Sequence, residues 1–171
     1  MIPSGNPQAA EHCGIEGPAL ERMLEFKAFE FPLLVEASAG LPASPGAVQR
    51  DASGRALLLH FAAGRFLAPA PTPDRVRHLD ALQAAGVGAL FDVDGKWRRF
   101  ALTGPGASRV LASAVDLGVA LRHRDCAALQ LFDCPAVLAS RAGAFDVWVE
   151  ASYATALHGH LKDVLRALGA A

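Results

Sequence analysis

From Arg55 onward the chain is a series of short apolar runs cut by turn residues, and this punctuation constrains the fold more than any other feature. Residues 56–61 (ALLLHF) and 65–70 (RFLAPA) flank Ala62-Ala63-Gly64, which predicts a β-hairpin. Residues 87–93 (VGALFDV) lead into Asp94-Gly95, a tight-turn dipeptide, and 97–103 (WRRFALT) read as the returning strand. In that strand Trp97, Arg99, Ala101 and Thr103 share one face, and Arg98, Phe100 and Leu102 the other. Residues 127–133, 135–141 and 144–150 are further strands. In the last, Phe145, Val147 and Val149 alternate with Asp146, Trp148 and Glu150.

Helical patterns separate these runs. Thr72 is an N-cap before Pro73, and Val76, Leu79, Leu82 and Gln83 follow at helical spacing until Gly86. Thr103-Gly104-Pro105 opens a second helix with Val110, Leu111 and Val115 on its apolar side. Ser152 is the expected N-cap of the last helix, whose stripe is Ala154, Leu157, Leu161, Val164, Leu165 and Leu168. The order β-β-α-β-β-α-β-β-β-α predicts an α+β fold, a mixed but largely antiparallel sheet with helices packed against it. Residues 55–171 form this domain. Residues 1–54 read as an N-terminal arm ordered by docking to a partner: 1–14 poorly ordered alone, 15–25 a short helix with Pro18 in its first turn, 26–36 a strand edged or broken by Pro32, and 37–54 a loop.

Composition bounds the function. Hydrophobic residues make up 52% and charged residues 19% of the 171, more apolar surface than a domain of this size readily hides, so part of it is expected to meet a partner. A net charge of −1 argues against a nucleic-acid binder and offers no basic patch to a membrane. No apolar run is long enough to span a bilayer, and residues 1–24 lack the pattern of a secretory signal. Cys13, Cys126 and Cys134, odd and sparse, fit a reducing compartment, and the expected location is the cytoplasm.

The candidate chemical motifs fall short one by one. Gly104-Pro105-Gly106 precedes a helix, but the dinucleotide fingerprint needs a third glycine where Arg109 stands, and a capped helix start explains it. His158 and His160, two apart on a helix, point in different directions, and His123 with Cys126 has no second pair at zinc spacing. There is no Gly-x-Ser-x-Gly elbow and no cysteine beside an activating motif. His60, inside an apolar strand, is read as neutral and hydrogen-bonded. No catalytic, cofactor-binding or metal-binding residue is therefore assigned. What remains is a docking surface. Lys96-Trp97-Arg98-Arg99 sets an indole among cations, and Trp148 stands on the polar side of its strand; each tryptophan either anchors a partner or covers the protein's own core. With the aromatics of the arm, the candidate interface residues are Phe26, Phe29, Phe31, Trp97, Arg98, Arg99 and Trp148.

Several of these segments carry a family rhythm: RALLLHFAAGRFLAPAP (55–71), Asp94-Gly95 before a strand, Gly104-Pro105-x-Ala107, Val110-Leu111, Asp116-Leu117, Phe145 to Val149, and Ser152-Tyr153-Ala154. On them the stretch from Arg55 to Leu168 resembles the gamma subunit of bacterial heterotetrameric sarcosine oxidase and, more broadly, the folate-binding fold of glycine-cleavage aminomethyltransferases. The chain is short for that wider family and lacks the Lys-Gly-Cys-Tyr-x-Gly-Gln box of its iron–sulfur repair branch. The resemblance implies a non-catalytic assembly subunit of a flavin-dependent oxidase or dehydrogenase acting on an N-methyl amino acid or related secondary amine. FAD, FMN, NAD and folate would then sit in larger flavoprotein partner subunits, with no cofactor bound by this chain alone. The rival expectation is a free-standing binder of folate or another one-carbon-related ligand.

Overall fold

A computed structural model of the chain describes residues 12–29 and 40–169. Phe31, most of the segment 1–14 and the second half of the strand expected over 26–36 lie outside these residues. The strands are β1 (Gly14–Ala19), β2 (Met23–Ala28), β3 (Val48–Arg50), β4 (Ala56–Ala62), β5 (Arg65–Pro69), β6 (Gly88–Asp92), β7 (Trp97–Thr103), β8 (Cys126–Leu131), β9 (Cys134–Arg141) and β10 (Ala144–Glu150). The helices are α1 (Pro73–Ala84), α2 (Ala107–Ala112), the single turn α3 (Leu117–Ala120) and α4 (Ala154–Ala167).

The α+β class and the antiparallel pairing stand, but the strands divide into two sheets. Sheet A has the order β1-β7-β10-β9-β8 and sheet B the order β3-β4-β5-β2-β6. Every described pairing is antiparallel. Alternation of side chains gives each sheet two covered faces. Phe100, Leu102, Leu138, Val147 and Val149 turn outward from sheet A onto Val110, Leu111, Leu157, Leu161 and Leu165 of α2 and α4. Phe26, Phe66 and Leu58 turn outward from sheet B onto Leu79 of α1. Between the sheets lie Met23, Leu59, Phe61 and Leu67 from one side and Trp97, Cys126, Val137 and Trp148 from the other. The result is four layers, helix–sheet–sheet–helix, in the sense of layered packing around apolar faces.

Local chemistry explains the elements. The Thr72 hydroxyl accepts from the Arg75 amide at 3.3 Å, with Pro73 in the first turn of α1, as its sequence demands. The turn between β8 and β9 places Phe132 and Asp133 both at positive φ, 48° and 62°, the twist that a two-residue hairpin needs. The hairpins β4–β5 and β9–β10 fall at the expected breaks, whereas β8–β9 turns at Phe132-Asp133, inside the strand expected over 127–133.

Three expectations are corrected. Residues 15–25 do not form a helix: β1 pairs with β7, Gly14 opposite Thr103, and β2 lies between β5 and β6. The described parts of the first 54 residues thus supply one strand to sheet A and two, β2 and β3, to sheet B. Asp94-Gly95 is a turn, but β6 and β7 do not pair; the chain there leaves sheet B for sheet A. Asp94 secures the crossing, its Oδ1 accepting from the Met23 amide at 2.6 Å. Ser152 does not cap α4, which follows a 3-10 turn over Ala151–Tyr153 and has no side-chain cap.

Candidate functional site

The layer between the sheets is not purely apolar. Residues at alternate positions of β7 and β10 face sheet B, so Arg99, Asp146 and Trp148 share that space. Arg99 lies opposite Trp148 across the two strands. At one end of the layer they line a cleft of about 410 Å³, together with Arg141, Arg55 and Glu21.

Four of the cleft's charges, Glu21, Arg99, Asp146 and Arg141, are paired with one another. The Arg99 guanidinium donates through Nε to Glu21 Oε1 at 2.5 Å and through Nη1 to Asp146 Oδ1 at 3.0 Å. Arg141 Nε lies 3.2 Å from Asp146 Oδ2. Burial alone would lower the pKa of Arg99, but the carboxylates of Glu21 and Asp146 outweigh it and hold the group above the ordinary arginine value. Glu21 belongs to the link between β1 in sheet A and β2 in sheet B, so its ion pair fixes the passage of the chain from one sheet to the other.

A second charged cluster sits in sheet B. Glu25 is buried, and its Oε1 accepts from Arg65 Nε at 3.0 Å and Nη2 at 2.6 Å. Lys27 and Lys96 approach it at 4.0 Å, and Lys96 also lies 3.4 Å from Glu150. Two charge-assisted hydrogen bonds to one oxygen, with Lys96 near the other, hold this buried carboxylate. Neither cluster presents an activated nucleophile. The thiol of Cys126 is pushed up to about 12 by burial and by the nearby Asp125 carboxylate, and Cys13 and Cys134 are raised as well, chiefly by burial.

The structure disperses the residues assigned to a docking surface. Phe26 is fully buried against α1, and Trp97 and Trp148, 6% and 1% exposed, belong to the layer between the sheets. These three cover the protein's own core, because the second sheet closes over the face that alternation left open. Arg99 is drawn into the cleft, while Arg98 lies partly exposed and donates to the carbonyl oxygens of Gly95 and Trp97 at 2.8 and 3.0 Å. Phe29 stands out, 66% exposed.

The other motifs are placed plainly. The His158 ring lies 5.7 Å from that of Phe100, with burial and Lys162 holding its pKa down, whereas the His160 ring stacks on Phe132 at 5.5 Å; the two diverge as their spacing requires. No three of His, Cys, Asp and Glu come together as metal ligands among the described residues. The Gly106 amide donates to the His12 carbonyl at 3.2 Å, so the start of α2 is closed by the chain itself. His60 stacks on Phe66 at 4.2 Å, and its Nδ1 lies 2.9 Å from the Pro42 carbonyl. Glu21, Arg141 and Asp146 escaped the sequence reading as a cluster. The signal for Asp146 was present, since it shares a strand face with Trp148.

Both oxygens of Asp146, the buried carboxylate of the cleft, are committed to Arg99 and Arg141.

The four-layer fold with paired antiparallel sheets has known counterparts. No protein-family model matches the sequence, and no curated protein matches it. Among solved structures the chain is similar to one from the heterotetrameric sarcosine oxidase of Corynebacterium sp. U-96, solved in complex with pyrrole 2-carboxylate. The TM-score is 0.77 and the identity 24%, covering 95% of this chain and 88% of the other. It is also similar to the glycine cleavage system aminomethyltransferase T from Bartonella henselae, with a TM-score of 0.59 and 18% identity over 90% of this chain. It spans 46% of that protein, less than half its length. These likenesses agree with the fold expected from the family rhythm of residues 55–168. No helix among the described residues is long and apolar enough to cross a membrane.

Proposed function

We propose that this chain is a non-catalytic, gamma-like accessory subunit of a heteromeric flavin-dependent sarcosine oxidase, or of a related cytoplasmic oxidoreductase of N-methyl amino acids or secondary amines. The observation that carries the reading is the end-to-end fold likeness to a chain of a heterotetrameric sarcosine oxidase, 95% of one and 88% of the other. It is supported by the state of the charged groups. The buried carboxylates, Glu25 and Asp146, are tied to arginines, and the cysteines are held as thiols, which suits a scaffold better than a reaction centre. FAD, FMN, NAD and folate then belong to the larger partner subunits, and Phe29 remains as an exposed docking residue on the N-terminal segment.

Co-expression with the flavoprotein subunits encoded by neighbouring genes tests this. A complex of fixed stoichiometry that carries flavin absorbance is the expected result. A monomer that never co-purifies with a flavoprotein overturns it.

A further inference from the structure

Four strands end the two sheets, and three of them are guarded. β1 contains Pro18 and an irregularity between Glu16 and Ala19; β3 has three residues; β6 ends on Asp92, with Lys27 over the Phe91 ring. The fourth, β8, is six residues long, carries no charge and no proline, and pairs with β9 along its whole length. Such an uncharged, uninterrupted edge is a template for pairing with another chain.

The direction of its free groups follows from the ladder. The Cys126 amide points away from β9, because it donates to the Gly46 carbonyl at 3.0 Å. Alternation then turns the N–H and C=O of Ala128 and Gln130 the same way. Pro135, opposite Gln130, agrees: it has no N–H to return. A groove flanks this edge on each side. One, about 350 Å³, lies on the side facing sheet B and is lined by Phe61, Arg65, Trp97 and Val137. The other, about 450 Å³, lies on the helix side beside Val119, Arg122, His123 and Arg124. Ala128 and Leu129 border both. The Trp97 indole N–H, on a side chain 6% exposed, finds no hydrogen-bond partner among the described residues.

We infer that the outer edge of β8 receives an extended segment of a partner subunit as a sixth strand of sheet A. Its alternate side chains enter the two grooves: a hydroxyl-bearing residue, able to accept from Trp97, on the inner side, and an acidic residue facing Arg122, His123 and Arg124 on the other. Main-chain hydrogen bonds to Ala128 and Gln130 supply affinity and the grooves supply selection, the logic of strand addition. A second copy of this chain is the poorer occupant, since its own β8, CAALQL, offers no carboxylate. The partner's existence rests on the accessory-subunit reading; the use of this edge rests on β8 itself.

Ala128→Pro removes an outward N–H without touching the β9 ladder. In the full complex with co-expressed flavoprotein subunits, the Ala128 and Gln130 amides should be protected from hydrogen exchange, and Ala128→Pro should weaken assembly about tenfold, the worth of one hydrogen bond and its neighbours. Arg122→Glu, an exposed change, should weaken it too and serves if the proline variant misfolds by circular dichroism. A complex that forms unchanged with both variants, with both amides still exchanging, overturns the inference and leaves the accessory role standing. If no flavoprotein complex forms, the accessory role falls, and decapeptides selected by display against the full chain decide the edge. Selected peptides that bind the wild type and lose binding to the variants uphold it, and failure to select any overturns it. A homodimer abolished by Ala128→Pro assigns the edge to a second copy and also overturns it.

Discussion

The amide of Cys126 donates to the carbonyl of Gly46 at 3.0 Å, and this bond joins the two sheets through the main chain. The same carbonyl accepts from the Asp125 amide at 2.8 Å, while the Gly46 amide donates to the His60 carbonyl at 2.7 Å. Gly46 therefore clasps β4 of sheet B to β8 of sheet A.

The clasp admits no side chain. Gly46 has φ of 99°, and a Cβ there would stand 2.7–2.9 Å from the stem of Arg124. Gly46→Ala should destabilise the fold by about 1–3 kcal/mol, from the left-handed backbone and the contact together. Urea unfolding checks this. An unchanged midpoint would show that the sheets are held by their side chains alone.

Arg99 joins a carboxylate of sheet A, Asp146, to Glu21 on the link that leads from sheet A to sheet B. Arg99→Met keeps the apolar stem but leaves Glu21 without its partner and Asp146 with Arg141 only. Breaking a fully buried pair costs about 3–5 kcal/mol, and with Arg99 28% exposed the expected loss is about 1–3 kcal/mol. Adding Asp146→Leu should recover part of it, because the stranded charge is then gone. Thermal melts of the single and double variants give the comparison.

Cys126 makes stability fall in alkali. Its folded-state pKa, about 12, lies above the ordinary 9.0, so the thiol form is favoured by folding. The contribution is whole below pH 9 and is lost as pH rises toward 12, because the unfolded chain releases this proton first. The urea midpoint of the wild type should drop between pH 8 and pH 10.5 by more than that of Cys126→Ala. At neutral pH the native thiol should resist alkylation, and unfolding should release it.

Both tryptophans should report an interior. With Trp97 6% and Trp148 1% exposed, emission should be blue-shifted and poorly quenched by iodide, then shift red on unfolding. Strong quenching of the folded chain would place an indole at the surface.

The strands and turns from Arg55 onward were legible because each is written locally, in an alternating run and a turn dipeptide. β1 was not. Gly14, Gly17 and Pro18 have little strand preference, and what makes the segment a strand is its register against Phe100–Thr103, far along the chain. The turn at Asp94-Gly95 was read correctly as a turn and wrongly as a hairpin, since its residues encode the bend and not which sheet receives the next strand. The cleft was half visible. Alternation put Asp146 beside Trp148 and Arg99 beside Trp97, but a sequence shows which side chains share a face and not what covers that face. A second sheet covers it, so a predicted surface became an interior with paired charges.

The crossing at Asp94 also orders the birth of the protein on the ribosome. Every strand of sheet B precedes residue 93, so that sheet is complete while β7 to β10 are still being made. β1, synthesised before β2, has its neighbour among the described strands in β7. For that interval the nascent chain carries a finished sheet whose Met23, Leu59 and Leu67 side is bare and a first strand without a place, which is the moment a chaperone has most to shield.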